Sequence, residues 1–256
     1  MNFELEQSKL VEMFERLMLV NVFPSSVIST TTDGTLFSIQ KDSHARALRF
    51  IKFNKGFFKS IDGKDETVEI DVEKALKLIK AVPPKEVLKV NTEGNKFVIV
   101  CKKKKIHLTT REPEDEIIKG LPFETVDGVP VIGEGVDEVK LDVNMKIKLD
   151  DFKAFISDAS PLKTEYYTFC IKNKKINVRV GDLHDTSDDS TWKPDGEIFK
   201  GEKLNAIYTF GVQQIGDTFR EDVNIKLCNE APAWFYEEND DYMFGVLLPP
   251  YVEEEE

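Results

Sequence analysis

Asp33-Gly34-Thr35-Leu36, which opens a strand pattern over 35–40, and Asn173-Lys174-Lys175-Ile176, which opens another over 175–180, are one passage written twice. A helix-patterned segment precedes each, over 8–20 and over 150–160, with a strand between helix and turn. Beyond each second strand the chain reads Asp42-Ser43-His44 in one half and Asp182-Leu183-His184 in the other, so His44 falls on His184. Each half then continues into a second helix pattern, over 71–82 and about 205–220, and a further strand pair, over 86–101 and 222–238. A repeat of that length predicts two similar domains that build a surface rather than a catalytic pocket.

Composition agrees. The 256 residues suffice for two domains that each bury a core, and a hydrophobic share of 41% is globular. No apolar run approaches the roughly 20 residues that span a bilayer, so no membrane role is expected. The start, Met-Asn-Phe-Glu-Leu-Glu, lacks the basic and apolar regions of a signal peptide. A cytoplasmic location is therefore expected, or a nuclear one if the source is eukaryotic. Cys101, Cys170 and Cys228 have no metal-ligand spacing and read as reduced thiols. The net charge is −12. Proteins that grip DNA on an open face usually carry a basic excess, so an acidic chain can do so only where its lysines are gathered on one surface.

Along the chain, Ser8 is placed to cap the first helix, whose apolar residues Leu10, Val11, Phe14, Leu17 and Met18 recur at helical spacing. Asp71 is placed to cap the second, and Pro83-Pro84 to stop it. Val72, Ala75, Leu76 and Ile79 form its apolar stripe. Lys74, Lys77 and Lys80 fall opposite, since steps of three residues drift only about 60° around a helix. Strands are expected over 87–90 and 96–108. From 112 to about 139, seven prolines and glycines interrupt acidic residues, which reads as a long linker. The second half opens with 140–149. Asp150 or Asp151 is placed to cap a helix carrying Phe152, Phe155, Ile156 and Ala159 inward and Lys153 outward. The pattern predicts an α+β fold of antiparallel sheets with helices on one side.

The order of elements resembles the DNA sliding clamps of the proliferating-cell-nuclear-antigen (PCNA) family, especially the archaeal members. The stretch that carries this best is the run Val223 to Leu227, Asn229-Glu230-Ala231-Pro232, an aromatic strand, then Met243 to Leu248 and Pro249-Pro250. The lysine-rich helix at 71–82 and the acidic connector match as well. The chain departs from the family pattern at Gln40-Lys41-Asp42-Ser43-His44, in a longer connector, and in a fourth helix whose clearest basic residue is Arg220.

That resemblance implies two domains of the DNA-clamp fold, 1–111 and 140–256, joined by a linker over 112–139. It implies three chains joined head to tail in a pseudo-sixfold ring around duplex DNA. Such a ring tethers DNA polymerase and other replication and repair proteins, and is placed on DNA by a clamp loader. The residues matching a DNA-facing lining are Lys9, Arg16, Lys74, Lys77, Lys80, Lys153 and Arg220. A few mobile cations per chain would attract phosphates without reading sequence. Those matching the pocket for PIP-box partners are Ile39, Gln40, Ala47, Val129, Val131, Ile132, Pro232, Leu248, Pro249 and Tyr251. Ring closure would join a basic edge strand over 104–110 to the acidic end of a strand over 175–183. Lys103, Lys104, Lys105, Ile106 and Leu108 would stand on one side, and Val178, Asp182 and Asp185 on the other.

Rival readings stay open at this point. The lysines at the edge could serve only to blunt it against aggregation. A monomeric two-domain DNA-binding processivity factor would share the fold, and the chain could be one subunit of a heterotrimeric clamp. An enzyme is not expected, because there is no P-loop, no GxSxG, no HExxH and no Cys/His cluster. His44, His107 and His184 read as polar strand-end or loop residues. The acidic cluster around 185–189 reads as a solvated loop. No cofactor or metal is expected.

Overall fold

The computed structural model describes residues 1–19, 22–41, 47–102, 104–113, 125–126, 129–130, 143–183, 188–201, 203–209, 216–227 and 232–248. The chain divides into two compact units. Unit 1 is Met1–Asp42, Arg49–Pro122 and Glu238–Phe244; unit 2 is Ser43–Leu48, Phe123–Glu237 and Gly245–Glu256.

The first stretch of chain contributes β1 (Asn2–Glu6), α1 (Gln7–Met18), β2 (Ser25–Thr30), β3 (Leu36–Lys41), β4 (Leu48–Phe53), β5 (Ser60–Ile61), β6 (Glu66–Asp71), α2 (Val72–Ile79), β7 (Val87–Glu93), β8 (Lys96–Cys101) and β9 (Lys104–Thr109). The second contributes β10 (Thr125–Val126), β11 (Val129–Pro130), β12 (Val143–Ile147), α3 (Leu149–Ser157), α4 (Ala159–Leu162), β13 (Tyr166–Lys172), β14 (Lys175–Gly181), β15 (Asp189–Trp192), β16 (Gly196–Lys200), β17 (Lys203–Thr209), β18 (Val223–Leu227), β19 (Ala233–Glu238) and β20 (Tyr242–Leu248).

In unit 1 one sheet runs β5-β1-β7-β8-β9. Another runs β6-β2-β3-β4, and the first residues of β20 lie beyond β4. Unit 2 repeats both orders, as β16-β12-β18-β19 with the last residues of β20 beyond β19, and as β17-β13-β14-β15. The written repeat is therefore a repeat of topology, strand for strand. Both marker turns need left-handed backbone. Gly34 supplies it in unit 1 with φ 82°, while Asn173 and Lys174 take φ 53° and 57° in unit 2.

α1 buries Leu10, Met13, Phe14 and Leu17 and packs against α2, which buries Val72, Ala75 and Ile79. Asp71 caps α2 as expected, accepting from the Lys74 backbone N–H at 2.8 Å. Ser8 does not cap α1. That helix starts one residue earlier, where the Gln7 side chain donates to the Ile79 carbonyl at 2.9 Å and ties its start to the end of α2.

The cap of α3 also differs from expectation. Asp150 and Asp151 lie inside its first turn, and no side chain of its N-cap residue serves it. Asp222, distant in sequence, accepts from the Leu149 backbone at 3.1 Å and from Lys148 Nζ at 2.8 Å. The Lys148 hydrogen bond first, and the backbone bond with it, hold the Asp222 carboxyl below the usual carboxylate range. This contribution is present above the unfolded aspartate value of about 3.9 and is lost as pH falls through the lower folded value. Asp222→Asn should therefore shift the acid unfolding limb least at the lowest pH and most above pH 5, as followed by circular dichroism.

Two strand assignments change. The pattern over 96–108 is two strands, because the lysine run at Lys102 turns the chain between β8 and β9. The helix expected from 205 does not begin there: Leu204, Ala206 and Tyr208 alternate inward on β17, paired along β13. Among the described residues of 205–220, Gly216 alone is helical. No described helix is long and apolar enough to cross a membrane.

Candidate nucleic-acid and subunit interfaces

Lys74, Lys77 and Lys80 all stand exposed on the face of α2 opposite its apolar stripe, as the spacing required. They are not equally available. Lys77 pairs with Glu73 one turn back, and that hydrogen bond and charge raise its pKa. Lys80 reaches Glu15 of α1 at 3.1 Å. Lys74 has no ion-pair partner among the described residues. Exposed pairs of this kind are weak and exchange readily, so phosphates could displace them.

The remaining cations fare differently. Lys9 lies 3.0 Å from Asp241 and 4.8 Å above the Phe57 ring, half-occupied by its own unit. Arg16 corrects an expectation: it is only 2% exposed, so it cannot serve as a surface phosphate contact. Its guanidinium binds Glu12 at 3.1 Å and the Tyr242 hydroxyl at 2.6 Å, and lies 4.0 Å over the Tyr242 ring. In unit 2, Lys153 borders a hollow of about 250 Å³ with Ile156, Ser157, Ser160, Gly216 and Asp217. Arg220 is exposed, but its guanidinium donates to the Asp217 carbonyl, and Glu237 fixes its backbone N–H at 2.7 Å.

Of the partner-pocket residues, Ile39 is buried in unit 1, where Gln40 donates to the Ser25 carbonyl at 3.1 Å. Ala47 and Leu248 are buried in unit 2, and Pro232 is half-buried there. Val129 belongs to the short β10–β11 pair. Val131, Ile132, Pro249 and Tyr251 lie outside the described residues, as do Lys103 and Asp185.

The two expected edge strands divide. β9 is an edge: β8 flanks it on one side, and Lys104, Lys105, His107 and Thr109 stand out from it. Lys105 pairs with Glu93 at 3.3 Å, and Lys104 Nζ donates to the Leu78 carbonyl at 3.0 Å. β14 is not an edge. β15 covers it, pairing Val178 with Trp192 and Gly181 with Asp189. The Asp-Ser-Thr-Trp composition hid this strand, which reads as a polar loop. Arg179 grips Asp189 at 2.8 Å, and Asp158 at the end of α3 accepts from Trp192 Nε1 at 2.6 Å. Asp158 and Glu165, after burial, also push the Tyr167 hydroxyl pKa up. Ile106, Leu108 and Val178 are buried in their own units, so they cannot supply exposed apolar contacts to another chain. Asp182 is half-buried, and its carbonyl accepts from Arg179 at 3.1 Å.

Among the described residues no group of three or more His, Cys, Asp or Glu side chains is arranged to hold a metal. Cys101 and Cys170 are free thiols.

No protein-family model matches this chain, and no curated protein does. Solved structures do. Proliferating cellular nuclear antigen from Entamoeba histolytica superposes with a TM-score of 0.80 at 13% identity, over 98% of each chain. A. fulgidus PCNA, solved with the C-terminal region of FEN-1 bound, gives 0.78 at 13% identity over 99% of each. The PCNA2-PCNA3 complex from Sulfolobus tokodaii gives 0.76 at 13% identity, over 99% of this chain and all of the other. The fold is that of the PCNA sliding clamps, over the whole length.

Proposed function

We propose that this chain is a DNA sliding clamp, a non-enzymatic processivity factor that encircles duplex DNA and tethers polymerase and other replication and repair proteins. The supporting observation is the pair of unequal sheet ends. In unit 1 the outer side of β4 is taken by the first residues of β20. By the topological repeat, β4 corresponds to β15 and β20 to β9, and both of these are edges. A head-to-tail contact of β9 on one chain with β15 on the next would repeat the β4–β20 pairing and close a ring. Three chains, each of two domains (1–111 and 140–256, joined by 112–139), give six such joints. The likeness to clamps solved with FEN-1 and as a PCNA2-PCNA3 complex supports partner binding and multi-subunit assembly for this chain as well.

Such a ring retains DNA by topology, so its lining needs only modest attraction. Lys74, Lys77 and Lys80 fit that need, and the excess acid elsewhere discourages DNA from the outer surface. The test uses the full chain loaded on closed circles. Clamps should be lost when the circle is cut and retained when it is not. Lys74→Glu, Lys77→Glu and Lys80→Glu together should weaken retention in low salt by about tenfold without changing the oligomer's mass in light scattering. Indifference to cutting would sink the clamp reading.

A further inference from the structure

The first turns of α1 and α3 carry opposite charge, and so do the β19–β20 and β8–β9 hairpin tips. Lys9 is the third residue of α1 (Gln7-Ser8-Lys9), and Asp151 is the third of α3 (Leu149-Asp150-Asp151); each is followed by a fully buried core residue, Leu10 or Phe152. In unit 1 the basic first turn of α1 receives an acidic hairpin tip: Lys9 binds Asp241 at 3.0 Å, with exposed Asp240 and Glu238 beside it. Asn54, just past β4, holds the same tip by donating from its backbone to the Asp241 carbonyl at 2.8 Å. The corresponding first turn of α3 is acidic, with Asp150 exposed and Asp151 half-buried. Asp195 stands beside it, its backbone N–H donating to Asp151. The hairpin tip corresponding to Glu238–Asp241 is the turn between β8 and β9, where Lys102, Lys104 and Lys105 are all exposed. Asp151 thus replaces Lys9 with the opposite charge, Asp150 stands where α1 has the uncharged Ser8, and the acidic tip has a basic counterpart.

We propose that Asp150 and Asp151 receive the lysine-bearing β8–β9 tip of a second copy of this chain, as the charge-inverted counterpart of the Lys9–Asp241 contact. This rests on the ring reading and adds what selects its order. Shape alone does not distinguish the joints, because the repeats share topology. With inverted charge, an acidic β19–β20 tip brought to α3 meets Asp150 and Asp151, and a lysine tip brought to α1 meets Lys9. Both mispairings juxtapose like charges, and only the alternating order is attractive at each joint. Association should accordingly weaken with added salt.

Sedimentation equilibrium on the full chain tests this. Asp150→Lys with Asp151→Lys should weaken self-association by about tenfold, as two lost exposed pairs imply. Lys102→Glu with Lys104→Glu should do likewise, and all four together should restore it. Asp150→Asn with Asp151→Asn, a milder change that preserves an acceptor for the Asp195 N–H, should give an intermediate loss with an unchanged thermal midpoint. A wild-type chain that oligomerises but is indifferent to these changes, or a fourfold variant no better than its parts, overturns the inference alone. A wild-type chain that stays monomeric at all concentrations overturns the ring of three copies on which the inference rests.

Discussion

Phe152→Ala is expected to destabilise the protein by about 3–5 kcal/mol. The ring is fully buried on the inward face of α3 and sits at the centre of an aromatic group. Its centroid lies 5.3 Å from Phe155, 5.5 Å from Phe219 and 6.2 Å from Phe235, the first two nearly edge-on. Phe169 joins the same group against Phe155 and Phe235 at 6.1 and 5.9 Å. These rings come from α3, β13, β19 and the turn before β18, so no single element can shift to fill the void. Urea unfolding followed by far-ultraviolet circular dichroism measures the loss. A cost under about 1.5 kcal/mol would show that the group collapses and is not the keystone of unit 2.

Arg49→Ala is expected to cost about 3 kcal/mol or more, and Arg49→Met substantially less. Arg49 is fully buried on β4. It donates to the Leu17 carbonyl in the last turn of α1, to Ser26 Oγ at 3.1 Å, to Ser38 Oγ, and to Gln40 Oε1 at 3.3 Å. The Phe23 ring lies 5.0 Å away, and Nε has no hydrogen-bond partner among the described residues. Alanine strands those acceptors around a cavity, whereas methionine refills the volume. Burial draws the guanidinium down to about 9, so it stays charged at neutral pH. Because the folded value lies below the unfolded one, burying the charge costs stability fully below about pH 9 and progressively less above it. The methionine variant should lack that alkaline gain. Equal losses for alanine and methionine would mean that the hydrogen bonds, not the volume, carry the site.

Local chemistry was legible in the sequence, and distant chemistry was not. Asp71 could be assigned as a cap because its acceptor reaches an N–H within the same turn. Asp150 and Asp151 satisfy the same rule on paper, yet Asp222 takes the post at α3 because β12–β18 pairing carries it there. The lysine stripe of α2 followed from helical geometry alone. Arg16 sits at an equally plausible surface position, but Tyr242 and Phe244 close over it from the far end of the chain. β14 looked like an edge because its own alternation is clean, while the strand that covers it alternates too weakly to be seen. The repeat itself survived all of this, since it depends on the order of elements and not on any one residue.

Trp192 and Trp234 are the only tryptophans in the chain. Trp234 is shut away in the interior, while Trp192 is half-buried on β15, its indole anchored to Asp158. The strand proposed to close the ring thus carries its own fluorophore, and with Trp234 changed to phenylalanine the emission of Trp192 would follow opening and closing in real time without an attached dye.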